Sequence, residues 1–195
     1  MWDAAFVGRP SQKGGQAFMF QSGDLVVYGS TGVCRVEELT QPAARGTDRK
    51  KLFYLLKPLH QDGVIYTPTE GGKVPIRPVI PAEEAQALLD QIPILEPEVC
   101  RGPTLQALAQ HYQSVIRTHD CRELLRLMIS IRAKQRQMAS LNRRLGMVDE
   151  RFLKQAEQLL CGEFSIALQV PIEDIQADIN RRMESAQRKS SPCSS

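Results

Sequence analysis

Three histidines (His60, His111, His119), five cysteines (Cys34, Cys100, Cys121, Cys161, Cys193) and a single tryptophan (Trp2) are the side chains best suited to metal, covalent or stacking chemistry. Their spacing assembles little. The cysteines are odd in number and contain no CxxC pair, and no histidine stands at ligand spacing from a cysteine cluster, so no metal site is expected. His111, His119 and Asp120 could in principle act as an acid–base set, but His119 and Asp120 fall at a predicted helix start, where capping is the expected role. Asp149 and Glu150 likewise precede a helical run and read as charges at the positive end of its dipole. Gly71 and Gly72 have neither the spacing nor the following helix of a phosphate loop and read as a hairpin turn. No catalytic residue, cofactor or small-molecule substrate is expected, and the chain does not read as an enzyme.

Cations form the one constellation with a spatial consequence. Arg117, Arg122, Arg126, Arg132, Lys134, Arg136, Arg143 and Arg144 face only Asp120 and Glu123 in the same stretch, a local excess of six positive charges in a chain whose net charge is +3. On an unbroken helix the arginines at 122, 126, 132, 136, 143 and 144 fall within a sector of roughly 120°, opposite Leu124, Leu127, Met128, Ile131, Met138 and Leu145. A merely solvated helix more often interleaves acids to relieve such repulsion. The pattern predicts contact with a phosphate backbone, which gives salt-dependent affinity without sequence reading. Leu125 and Ile129 lie inside the basic sector, so either another helix covers part of it or they are exposed.

Elements must position these residues. Between Phe20 and Ile80, short β-branched and aromatic runs (LVVYG, VCRVEEL, KLFYLLKPL, VIYTP, VPIRPVI) alternate with turn signals, which predicts five strands in a small closed or nearly closed antiparallel barrel of SH3 or Tudor type. Pro81 then opens a short helix over AEEAQALLDQI, and PILEPEVCRGP is a linker. Helical periodicity follows over 104–117, 120–145, 149–168 and 171–184. The expected class is α+β in two domains: a barrel at 19–80, a short helix and linker at 81–103, and an all-α bundle at 104–184. Residues 1–18 and 185–195 lack periodicity and are expected to be disordered, with Met19 a candidate natural start. No run approaches the ~20 apolar residues of a membrane span, and the first 18 residues lack a signal-peptide core, so a reduced, cytosolic setting is expected.

The segments FQSGDLVVYGSTGVCRVEEL and KLFYLLKPLHQDGVIYTPTEGGKVPIRPVI resemble the N-terminal domain of CarD-type transcriptional regulators, which also occurs in the transcription-repair coupling factor. The shared features are the GD-VVY opening, Gly32 in the first turn, the aromatic strand before Lys57, the strand ending at Pro68, and Arg77. Thr118-His119-Asp120 stands where a threonine- or serine-glycine-aspartate usually opens a helix, and LKQAEQLLCGEFSIAL is similar to a later helix of the family. The resemblance extends from Met19 to Met183.

The resemblance implies a Tudor-like domain that docks on the RNA polymerase β-subunit lobe through Val64, Ile65, Tyr66 and Thr67 and the loop from Gln41 to Arg45, including Pro42. It also implies a helical domain that contacts promoter DNA, here through Arg101, Arg117, Arg122, Arg126, Arg132, Arg136, Arg143 and Arg144, and so modulates open-complex stability. Members carry a tryptophan early in the helical domain that wedges into the minor groove; near Leu105 this chain has no aromatic residue, so weaker, largely non-specific backbone contact is expected. The chain would then associate with the nucleoid through polymerase, with no membrane partner. The competing reading is a Tudor- or SH3-like adaptor for peptide or RNA, whose aromatic cage would need at least three of Tyr28, Phe53, Tyr54 and Tyr66 exposed together.

Overall fold

The computed structural model describes residues 20–41, 52–98 and 104–190. Five strands form one antiparallel sheet: β1 (Leu25–Tyr28), β2 (Gly32–Thr40), β3 (Phe53–Pro58), β4 (Ile65–Pro68) and β5 (Ile76–Pro78), in the order β4-β3-β2-β1-β5. All five expected strands form, but the sheet is not closed: β4 and β5 are its two edges. It follows that Gly71 and Gly72 do not make a hairpin turn. They lie on the connection that carries the chain from one edge of the sheet to the other.

Alternation along the strands divides the sheet into two faces. Val26, Cys34, Val36, Tyr54 and Leu56 point to one face and pack with Phe20 into a small core. The Phe20 and Tyr54 rings meet edge to face at 5.8 Å, and the Tyr54 hydroxyl accepts from the Phe20 amide at 3.0 Å. On the opposite face, Val27 pairs with Val33 and with Arg77, and both valines are buried although they point away from that core. Helices cover them there.

A 3-10 turn at Gly29–Thr31 joins β1 to β2 and requires its glycines. Gly29 has φ 46°, and a Cβ on it would lie 2.4 Å from a Val74 methyl, so only glycine lets the approach to β5 come this close.

The helical part comprises α1 (Ala82–Gln91), α2 (Leu105–Thr118), α3 (Cys121–Ser140), α4 (Met147–Leu168) and α5 (Ile172–Ser190); α5 continues through 185–190, which corrects the expected disorder there, whereas 1–18 and 191–195 lie outside the described residues. Thr104 caps α2 by accepting from the Ala107 amide, and Asp120 caps α3 by accepting from the amides of Arg122 at 2.7 Å and Glu123 at 3.1 Å. Helix α3 runs through the middle of this unit: Leu124, Leu125, Leu127, Met128, Ile129 and Ile131 are all buried. It stops at Ser140, and Asn142 takes the left-handed φ of 53° typical just past a helix end. The expected continuous helix to 145 is therefore corrected, and Arg143 and Arg144 lie beyond α3.

Candidate functional site

Helices α3 and α4 meet the sheet at a polar junction built around Arg77 of β5. Its guanidinium donates to both Glu163 oxygens, at 2.5 and 2.8 Å, and to the His119 carbonyl at 2.7 and 3.1 Å. The Glu163 carboxylate is 2% exposed and also accepts from the Ile80 amide at 3.1 Å and the Cys121 thiol at 3.2 Å. Four donors converge on this one side chain. Thr118-His119-Asp120 belongs to this junction. His119 has φ 54°, which turns its carbonyl toward Arg77 while Asp120 starts the next helix.

Burial, the Glu163 carboxylate and the Cys121–Glu163 contact push the Cys121 thiol up, against the opposing pull of Arg77. Cys161 is pushed up to about 12 and Cys34 to about 11, both chiefly by burial. All three are buried and free, so at neutral pH they are protonated and poor nucleophiles. Cys100 and Cys193 lie outside the described residues. Among the described residues no group of three or more His, Cys, Asp or Glu is placed to hold a metal ion, and no helix is long and apolar enough to cross a membrane.

Strand β4 presents a different surface. It pairs with β3 on one side (Leu55↔Tyr66, Leu56↔Ile65), and among the described residues no strand pairs with its other backbone edge. Ile65 and Thr67 turn inward, and Thr67 is buried. Val64 and Tyr66 turn outward, each 57% exposed, beside the half-buried Phe53 and Leu55 of β3. The outer face of the sheet is thus covered by helices at β1 and open at β4. Of the six residues expected to face polymerase, Val64 and Tyr66 are exposed, Ile65 is half-buried, Thr67 is buried, and Pro42 and Arg45 lie outside the described residues. The aromatic cage of the adaptor reading is not formed: Tyr54 is buried, Tyr28 packs on the sheet core, Phe53 is half-buried, and Tyr66 alone among the four is mostly exposed.

The basic stripe is split by the fold. Arg132 is not free: its guanidinium donates to Glu157 of α4 at 2.5 and 2.8 Å and to the Asn180 side chain of α5. Lys134 donates to both oxygens of the buried Asp149, at 2.8 and 2.9 Å, and the Tyr112 hydroxyl donates to the same carboxylate at 2.8 Å. Asp149 is therefore the centre of an inter-helix network as well as a first-turn acid. Leu125 and Ile129 are buried because other helices cover that sector. What remains exposed is Arg117 and Arg122 at the α2–α3 turn, Arg126 with Glu123 at 3.3 Å, and Arg143 and Arg144 after α3; Arg136 is half-buried. Arg101 lies outside the described residues.

Pattern reading missed the junction, although two signals pointed to it. Glu163 interrupts the apolar run LLCGEFSIAL, where a buried carboxylate demands a cation, and His119 fills a position that favours glycine.

Residues 20–80 match the model of the CarD-like/TRCF RID domain. That segment is a CarD-like RNA polymerase-interacting domain, of a family that is an interaction module and not catalytic, and the chain carrying it is transcription-related. No curated protein matches the chain.

Proposed function

We propose that this protein regulates bacterial transcription by docking β4 on the β-subunit lobe of RNA polymerase in the cytoplasm while its helical unit touches promoter DNA and alters open-complex stability. The observation that carries the docking is β4 itself: a sheet edge with Tyr66 exposed on it and Val64 exposed just before it, within the segment that matches the polymerase-interacting family. Strand addition supplies backbone hydrogen bonds at such an edge, and an exposed tyrosine supplies an anchor. The exposed arginines support DNA contact through phosphate charge, and docking raises the local DNA concentration, so weak affinity suffices.

Truncating Tyr66 to alanine in the full chain, or replacing Val64 by aspartate, should weaken binding to the lobe by about tenfold or more, as loss of an interface anchor does. Surface plasmon resonance on an immobilised lobe measures this. Affinities within twofold of the parent for both variants would contradict the assignment of β4.

A further inference from the structure

Helices α2 and α3 and the segment that follows α1 enclose a groove of about 560 Å³, inside the range of about 300–1,000 Å³ in which proteins hold ligands. Among the described residues, α2 contributes His111 and Val115, about one turn apart, and α3 contributes Glu123, Arg126, Leu127 and Ser130 at helical spacing. The remaining wall is the chain from Ile94 to Glu98. That wall is held in place. A 3-10 turn at Ile92–Ile94 buries Ile92, Leu95 packs on the helical core, and the Glu98 amide donates to the Ser130 hydroxyl at 3.0 Å. A wall already ordered spares a ligand the cost of ordering it.

Floor and rim differ in chemistry. Leu127 is buried and Leu95 and Val115 are half-buried, whereas Ile94 stands 77% exposed with Glu96 and Glu98 exposed close by in the chain. Neither of these two glutamate side chains has an ion-pair partner among the described residues. Glu123 pairs with Arg126 at 3.3 Å, so the lining carries three carboxylates against one guanidinium. The acids continue back along the chain: Glu83, Glu84, Asp90, Glu96 and Glu98 occupy residues 83–98 without a lysine or arginine, in a chain whose net charge is +3. Such a lining repels phosphate, so the groove does not extend the arginine surface proposed to touch DNA. An apolar floor below unpaired carboxylates is complementary to a cation on an aliphatic stem, which lays its methylenes on apolar surface and keeps its charge in water.

We infer that this groove docks a basic, extended peptide segment of a partner protein, in which lysines or arginines alternate with apolar residues. Successive side chains of an extended chain point to opposite sides, so the apolar ones enter toward Leu95, Val115 and Leu127 while the cations between them stay at the rim. There Glu96 and Glu98 meet the charges, and Ile94 is covered by the stems. The groove shares no residue with β4, so this contact is additional to the one proposed for the sheet edge.

The test is fluorescence anisotropy of the full chain with a labelled seven-residue peptide of alternating lysine and leucine, and with its counterpart carrying glutamate for lysine. The parent is expected to bind the basic peptide at about 100 μM or tighter, more weakly as salt is raised, and not to bind the acidic one. Glu96→Lys with Glu98→Lys should weaken the basic peptide by about tenfold or more, since two attractions become repulsions, and should admit the acidic peptide. Ile94→Ser should weaken the basic peptide by about three- to fivefold through lost apolar contact. Glu83→Lys with Glu84→Lys, at two exposed positions of α1 outside the groove, should bind as the parent does. Circular dichroism checks that each variant is folded. If the α1 variant loses as much affinity as the groove variant, or if neither loses any, the peptide follows bulk charge or another surface and the groove is overturned. No binding of the basic peptide by the folded parent would overturn it as well. Analytical ultracentrifugation tests the other occupant: a parent dimer that Glu96→Lys with Glu98→Lys disperses would give the groove to a second copy of this chain and contradict a foreign peptide.

Discussion

At the level of single residues, His119 concentrates the tension in this structure. Its left-handed φ of 54° crowds a Cβ that glycine lacks, while its carbonyl is held by Arg77. Because that contact uses backbone, His119→Gly keeps it and removes the crowding, and should raise stability by about 1 kcal/mol. Burial and the nearby Arg77 charge lower the imidazole pKa from 6.5, with Glu163 opposing. A lowered folded pKa means that its contribution is fully present above pH 6.5 and lost as pH falls through the folded value. The advantage of His119→Gly over the parent should therefore widen between pH 8 and pH 5 in urea melts, and a constant difference would contradict this environment. The tripeptide was recognisable as a helix opening from its chain position; the strain in it was not, because it depends on a contact 42 residues away in sequence.

Among the elements, α3 depends on its cap. Asp120 satisfies two amides that would otherwise be unpaired at the helix start, and Asp120→Ala should cost about 1 kcal/mol, read as a lower urea midpoint. An unchanged midpoint would show that other contacts set the start of α3. Local pattern revealed all five strands and all five helices, since each run carries its own period and punctuation. It failed where the signal was not local. The end of α3 turns on Asn142, a weaker stop than glycine or proline, so periodicity ran on to Leu145. Arg132 looked like part of a free stripe because its partners, Glu157 and Asn180, come from two other helices. Sheet order was equally hidden: consecutive β4 and β5 invite pairing, yet the fold sends them to opposite edges.

For the molecule as a whole, the Arg77–Glu163 pair decides how the sheet and the helical unit are joined. Removing the cation with Arg77→Ala leaves Glu163 charged, buried and without its counterion, and should cost about 3–5 kcal/mol in global unfolding. The double change Arg77→Met with Glu163→Leu removes both charges and should recover much of that loss, a non-additivity a double-mutant cycle measures. Equal losses for the single and double variants would mean that the junction is held by packing around Leu159 and Gly32 instead. The central claim, polymerase docking through the sheet, is tested most directly by titrating the full-length chain into the isolated β-subunit lobe of a cognate RNA polymerase in a calorimeter. Saturable one-to-one binding at micromolar affinity or tighter, weakened by Tyr66→Ala, is the predicted result; no heat of binding from a chain shown to be folded would contradict it.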